Sequence, residues 1–174
     1  QLTSGIQNLE KEFGLSLPTY QPEPCCDQEI HHLFQVGYEL LKSEKKLEAL
    51  PYFEKIVKEN PRHERALHML GIISFQLGDP NLAIEWLLQS IEINPSQAQV
   101  FYDCGIALAA VNQREQAVFS YEQAIRIKPD FAQAHYNLGN VYFDLEEFEK
   151  SLLCFGQANI VEPQHYKAWY NRGN

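Results

Sequence analysis

The fold is decided by one 34-residue stretch, residues 132–165, which reads AQAHYNLGNVYFDLEEFEKSLLCFGQANIVEPQH. Its apolar residues recur three and four positions apart, which is the spacing of one face of an α-helix rather than of a β-strand. Gly139 and Ala158 are small residues within its two halves, and Pro163 closes it. We therefore expect two helices here that approach each other closely at the small residues.

The same pattern recurs along the chain with a period of 34 residues. The columns that share this period are the prolines Pro61, Pro95, Pro129 and Pro163, the glycines Gly37, Gly71, Gly105 and Gly139, the small residues Ala49, Ala83, Ala117 and Ser151, and the large apolar residues Phe53, Leu87, Tyr121 and Phe155. A helix pair cannot bury its apolar face alone, so such a repeat stacks each pair on its neighbours. The predicted helices are 30–43, 46–59, 64–77, 80–93, 98–111, 114–127, 132–145, 148–161 and 166–173.

The break between the two helices of the second unit has the residues of a helix stop followed by a helix start. Gly78 can adopt a positive φ, Asp79 can cap the following helix, and Pro80 suits its first position. In the first unit we expect Pro51 to lie early in its helix, where its missing N–H matters little.

These columns resemble the tetratricopeptide-repeat (TPR) family, whose unit carries Leu-Gly, aromatic, Ala and Pro positions. The resemblance covers about residues 30–174, and Ser74, Cys104 and Ser151 are its mild departures. It implies an all-α fold, a right-handed TPR α-solenoid of antiparallel helix pairs with about four and a half repeats. The implied organisation is 1–29 as an N-terminal segment, 30–63, 64–97, 98–131 and 132–165 as repeats, and 166–174 as the start of a fifth.

The leading segment, residues 1–29, does not follow the period. Helical spacing predicts a short amphipathic helix over 4–13, and three prolines predict an extended, Pro-rich linker over 16–27. This segment is either a linker with a capping helix or a strap that rests on a groove.

Composition and charge narrow the functional class. The chain is 45% hydrophobic and 21% charged, and its net charge of -9 comes without any basic run. We expect no nucleic-acid binding and no membrane insertion. Four scattered cysteines favour a reducing, cytoplasmic location. The histidines lack metal-ligand spacing and the chain has no catalytic motif, so we expect neither an enzyme, a metal site nor a cofactor.

The family resemblance implies that the first helix of each unit lines a concave groove. Its groove positions are rich in Tyr, Gln, Asn and His, which supply contact area and amide hydrogen bonds, so the expected partner is a protein or an extended peptide. The candidate groove residues are Phe34, Tyr38, Arg65, His68, Gln99, Tyr102, Gln133, Tyr136, Asn137, Asn140, Lys167, Tyr170, Asn171 and Asn174.

An echo between residues 134–140 and 168–174 predicts that Tyr136 stacks on Tyr170, Asn137 on Asn171 and Asn140 on Asn174. This pattern is similar to the asparagine ladder in the TPR regions of O-linked N-acetylglucosamine transferases. The carboxylate clamp by which other TPR proteins hold heat-shock chaperones is disfavoured, because Phe34, Tyr38 and Met69 occupy its positions.

Three functions remain open from the sequence. The chain is a protein–protein interaction scaffold or adaptor, the substrate-recognition arm of a glycosyltransferase-like enzyme with a catalytic domain beyond Asn174, or a secretion or assembly chaperone. The exposed half-repeat 166–174 also predicts self-association.

Overall fold

The computed structural model describes the backbone of residues 24–163 and the side chains of residues 28–163. Within that range the chain folds into α-helices joined by short turns. The helices are α1 Pro24–Lys42, α2 Lys46–Glu59, α3 Glu64–Gln76, α4 Pro80–Ile93, α5 Ala98–Ala110, α6 Arg114–Ile127, α7 Ala132–Asp144 and α8 Phe148–Val161.

The chain divides into two compact units between His32 and Leu33. In the first unit the described residues form the opening turns of α1. The second unit continues from the rest of α1 through α8, and in it α3 packs on α4, α5 on α6 and α7 on α8. First helices of successive repeats also touch directly, α3 with α5 and α5 with α7. The repeats in this unit therefore stack as an all-α TPR solenoid.

The glycine column sets the distance between the two helices of each pair. A Cβ atom added to Gly105 would lie 2.6 Å from a ring carbon of Tyr121, and one added to Gly139 would lie 2.7 Å from a ring carbon of Phe155. Both distances are far below van der Waals contact. Because the large residue of the second helix fills the space where a Cβ would be, the glycine and large-apolar columns must repeat together.

Buried side chains pack into hydrophobic clusters between the stacked helices. The largest fully buried side chains include Tyr121, Phe53 and Phe155. Ser151 replaces alanine in the small-residue column, and its hydroxyl donates a 2.8 Å hydrogen bond to the carbonyl of Gly139. Burying a hydroxyl costs little free energy when it has a hydrogen-bond acceptor, so serine can replace alanine in this column.

The turn within each repeat places one residue in the left-handed region. Gly78 has a φ of 90°, and the residues at the same position of the other repeats, Glu44, Asn112 and Glu146, have φ of 59°, 65° and 60°. The Oδ1 of Asp79 accepts a 3.0 Å hydrogen bond from the Leu82 N–H at the start of α4. The predicted turn chemistry of the second unit is therefore confirmed.

Two sequence predictions about prolines are wrong. The extended segment expected over 16–27 gives way to helix at Pro24, because proline is tolerated in a first helical turn. Pro51 is the sixth residue of α2, beyond that first turn. Its missing N–H deprives the Leu47 carbonyl of its helical partner.

The second helices match their predicted bounds, whereas each first helix ends slightly before its predicted end. Such one-residue differences at frayed helix ends are ordinary. The helices predicted over 4–13 and 166–173 lie outside the described residues.

Candidate functional site

Side chains on the first helices of the repeats form the candidate site. Successive first helices are in direct contact, which brings their side chains together along one row of the stack. We call the following residues, which are exposed or half-buried, the first-helix face: Tyr38, Arg65, Gln99, Tyr102, Gln133, Tyr136, Asn137 and Asn140.

A hydrogen bond joins the first helices of the second and third repeats. Nε2 of His68 lies 2.7 Å from Oδ2 of Asp103. Since a carboxylate only accepts hydrogen bonds, Nε2 of His68 carries a hydrogen and donates the hydrogen bond to Asp103. The other carboxylate oxygen, Oδ1 of Asp103, accepts a 3.1 Å hydrogen bond from the side-chain amide of Gln99. Asp103, one of the few acids on the first helices, is thus doubly paired.

A second hydrogen bond continues the series to the fourth repeat. The side-chain amide of Asn137 donates to the hydroxyl of Tyr102 at 3.2 Å. The ring of Tyr102 packs against Phe131, with centroids 4.8 Å apart, and against Tyr121, with centroids 6.0 Å apart. Burial raises the pKa of Tyr102, and the nearby Asp103 charge raises it further, so the hydroxyl keeps its proton. The hydroxyl remains a donor at neutral pH.

Both links run from one position to a position 35 residues later. They connect the fifth residue of one repeat with the sixth residue of the next, so the register is diagonal. The predicted ladder placed Asn137 and Asn171 side by side at an offset of 34 residues. Among the described residues Asn137 bonds Tyr102, one repeat earlier, and this bond uses one of the two N–H donors of its side-chain amide.

Aromatic and cationic side chains cluster where the first and second repeats meet. The rings of Phe34 and Tyr38 are stacked with centroids 6.3 Å apart. The guanidinium of Arg65 lies 4.5 Å from the centre of the Phe34 ring, and the ammonium of Lys42 lies 4.9 Å from that of Tyr38. Lys42 also bonds Glu39 at 3.0 Å. The guanidinium of Arg65 is therefore the best-placed positive charge at this end.

The predicted groove residues differ in exposure. Phe34 and His68 are buried, at 8% exposure each, and support the face from below instead of lining it. Tyr136 packs on Phe155 with ring centroids 5.6 Å apart, and Gln99 and Gln133 are exposed. Four predicted residues lie outside the described range, namely Lys167, Tyr170, Asn171 and Asn174.

Within residues 28–163, no three His, Cys, Asp or Glu side chains are grouped so that they could hold a metal ion. Of the helices described, none combines the length and the apolar character needed to cross a membrane. The face therefore offers hydrogen bonds, aromatic surface and one positive end.

Three family models match the sequence. They are a tetratricopeptide repeat over residues 36–98, a TPR repeat over 110–146 and a tetratricopeptide repeat over 132–165. Together they span more than half of the chain. No curated protein matches the sequence.

Solved structures share the fold. The TPR protein YrrB, described as having an unusual peptide-binding site, is 25% identical with a TM-score of 0.76, over 99% of this chain and 88% of that chain. A structure of MamA is 25% identical with a TM-score of 0.76, over 79% and 81%. A mutant O-GlcNAc transferase from Thermobaculum terrenum is 26% identical with a TM-score of 0.64, over 67% of this chain and 22% of that chain.

The 34-residue columns, the stacked helix pairs and the three model matches agree with one another, and the chain belongs to the tetratricopeptide repeat family.

Proposed function

We propose that this chain is a scaffold that binds an extended segment of a protein partner along the first-helix face. The observation that carries the proposal is the pair of links between successive first helices, His68 with Asp103 and Tyr102 with Asn137. They hold polar side chains in fixed positions over three repeats. Side chains that are already ordered lose less conformational entropy when a partner binds.

The face suits a peptide main chain, which presents one donor and one acceptor per residue. Asn137 keeps its carbonyl oxygen as an acceptor, and Tyr102 keeps its hydroxyl proton as a donor. The exposed amides of Gln99 and Gln133 lie on the same face, one repeat apart. Groups that can both donate and accept bind a backbone without selecting its side chains, so we expect broad sequence tolerance.

We expect the positive charge at one end of the first-helix face to orient the bound segment. The guanidinium of Arg65 lies over the Phe34 ring at the end formed by the first two repeats, whereas the carboxylate of Asp103 is already hydrogen-bonded to His68. Arginine pairs well with carboxylates. We expect the bound segment to place an acidic side chain beside Arg65. The likeness to YrrB, a TPR protein described as having a peptide-binding site, supports a peptide ligand.

A library of random extended peptides tests the proposal. Affinities of selected peptides are measured for the unmodified chain, for Arg65→Ala, and for the matched control Lys58→Ala, which removes an exposed cation from α2. We expect acidic peptides to be enriched, and Arg65→Ala to weaken them about tenfold while Lys58→Ala changes nothing. Equal affinities for the two variants would show that Arg65 does not contact an acidic side chain of the peptide. Failure to select any peptide would contradict the proposal.

A second candidate is that the repeats are the recognition arm of a glycosyltransferase-like enzyme. It rests on the likeness to the Thermobaculum terrenum O-GlcNAc transferase, of which the matched region is 22%. The full-length polypeptide decides between the two. A glycosyltransferase domain in that polypeptide supports the second candidate, and its absence leaves the scaffold.

A further inference from the structure

A deep apolar groove lies between the second helices of the second and third repeats. Its volume is about 420 Å³. We call it the α4–α6 groove and define it by Ile84, Leu88, Ile91, Phe101, Leu108 and Phe119. Phe101 and Leu108 are buried and form its floor, while Leu88 and Phe119 are 52% and 59% exposed on its two walls.

The repeat pattern shows that apolar residues are not required at the two wall positions. Leu88 stands where the preceding and following repeats have Glu54 and Glu122. Phe119 stands where the preceding repeat has Glu85. The solenoid therefore does not require apolar residues at these positions, since it is built with glutamate there elsewhere in the chain. Large exposed apolar side chains that face each other across a groove are a feature of binding surfaces.

The carboxylates around the groove favour a partner with basic residues. Glu115 is among the lining residues, and no lysine or arginine is among those described there. The α4 wall also carries the exposed acids Glu85 and Glu92 and has no basic residue, whereas the acids and arginines of the α6 wall are equal in number, so the two walls together have an excess of negative charge. A partner that fills the groove with apolar side chains would place its flanking residues beside these carboxylates. Basic flanks complement them, and acidic flanks would be repelled.

The shape of the groove also bears on the occupant. Its walls, α4 and α6, are equivalent helices of successive repeats, each of 14 residues. At about 1.5 Å per residue each wall is roughly 21 Å long. A single helix laid along it would present apolar side chains at three- and four-residue spacing to the groove.

We infer that the α4–α6 groove is a second binding site, which takes an amphipathic helix of a protein partner with an apolar row flanked by lysine or arginine. Leu88 and Phe119 are its anchors. The walls of this site are second helices, and its floor residues Phe101 and Leu108 belong to α5 but not to the first-helix face, so the site stands whether or not that face binds peptides.

Two designed helical peptides of about 14 residues test the inference. They share one apolar row of leucines and differ only in flanks of lysine or glutamate. Binding is measured by fluorescence anisotropy for the unmodified chain and for the double variant Leu88→Glu, Phe119→Glu. The control is Leu47→Glu, which adds a charge at an apolar residue 72% exposed on α2. Circular dichroism verifies the helical fold of each variant.

The expected result is binding of the lysine-flanked peptide alone, weakened about tenfold or more in the double variant and unchanged in Leu47→Glu. Equal binding of the two peptides would overturn the charge argument, and equal binding by the double variant would overturn the site. Sedimentation of the unmodified chain adds one more outcome. Concentration-dependent dimers that the double variant abolishes would identify the occupant as a second copy and contradict the inference.

Discussion

His68 and Asp103 belong to different repeats, yet Nε2 of the first lies 2.7 Å from Oδ2 of the second, with side chains only 11% and 18% exposed. Tyr102 and Asn137 repeat the relationship one unit later. Neighbouring repeats of a solenoid are coupled mainly by their interface. These bonds make part of that interface polar and fix the side chains of the first-helix face.

A double-mutant cycle measures the coupling between these two repeats. Changing His68 or Asp103 to alanine leaves the other group poorly solvated without its partner, which we expect to cost about 1–3 kcal/mol of unfolding free energy for each single variant. The coupling energy from the cycle should be about 0.5–3 kcal/mol. The exposed pair Lys45 and Glu48, 3.3 Å apart, is the control, with about 0.5 kcal/mol or less. Equal coupling in both cycles would contradict a structural role for the bond.

Gly105→Ala tests the close approach of helix pairs. The added Cβ would meet the Tyr121 ring at 2.6 Å, so we expect a loss of about 1–3 kcal/mol in unfolding free energy despite the better helix propensity of alanine. Gly156→Ala is the matched control, since nothing lies within 4 Å of its added Cβ. That variant should be stabilised by about 0.5–1 kcal/mol. Urea unfolding of both gives the answer, and a Gly105→Ala protein as stable as Gly156→Ala would refute the packing argument.

The left-handed turn gives opposite predictions for two repeats. Gly78→Ala should lose about 1 kcal/mol because alanine disfavours a φ of 90°, although its Cβ would have open space. Glu146→Gly should gain a smaller amount, since glutamate already holds a φ of 60°. Thermal unfolding of the two variants is the measurement. Shifts in the same direction would show that side-chain contacts, not backbone strain, govern this turn.

Stability should fall at alkaline pH, and two thiols should contribute to the fall. Burial raises the pKa of Cys104, which is fully buried, and of Cys154, which is half-buried, from an ordinary 9.0 to about 11. Between these values the unfolded chain loses the proton while the folded chain keeps it, so unfolding free energy declines as pH rises from about 9 to about 11. The decline is at most about 1.4 kcal/mol per pH unit for each thiol.

Urea unfolding at several pH values within that window, for the unmodified chain and Cys104→Ala, checks this. Comparing slopes removes the constant cost of the missing sulfur atom. A Cys104→Ala slope as steep as that of the unmodified chain would show that the buried thiol is not the cause.

Most of the fold follows from the sequence because its determinants are local and repeated. The helix stop and helix start of the second unit are encoded by three adjacent residues, Gly78, Asp79 and Pro80. The glycine column predicts that paired helices pack closely. The left-handed φ at Glu44 and Glu146 is not evident from residue type, since glutamate seldom adopts it. The left-handed φ could be predicted only by aligning these two residues with Gly78 in the 34-residue repeat.

The site is less accessible to sequence reasoning because it depends on how repeats sit against each other. The bonds from His68 to Asp103 and from Tyr102 to Asn137 cross an offset of 35 residues, while the sequence repeats at 34. Column alignment therefore does not predict the bond between Asn137 and Tyr102, and the predicted pairing of Asn137 with Asn171 lies outside the described residues. The α4–α6 groove was also missed, although comparing Leu88 with Glu54 and Glu122 would have revealed it.

Nuclear magnetic resonance can map a library-selected peptide directly onto the chain. Binding along the first-helix face predicts that the side-chain amide signals of Gln99, Gln133 and Asn137 shift, while that of Gln89, exposed on α4, does not. Shifts confined to Gln89 and other second-helix residues would place the peptide elsewhere and contradict binding along the first-helix face.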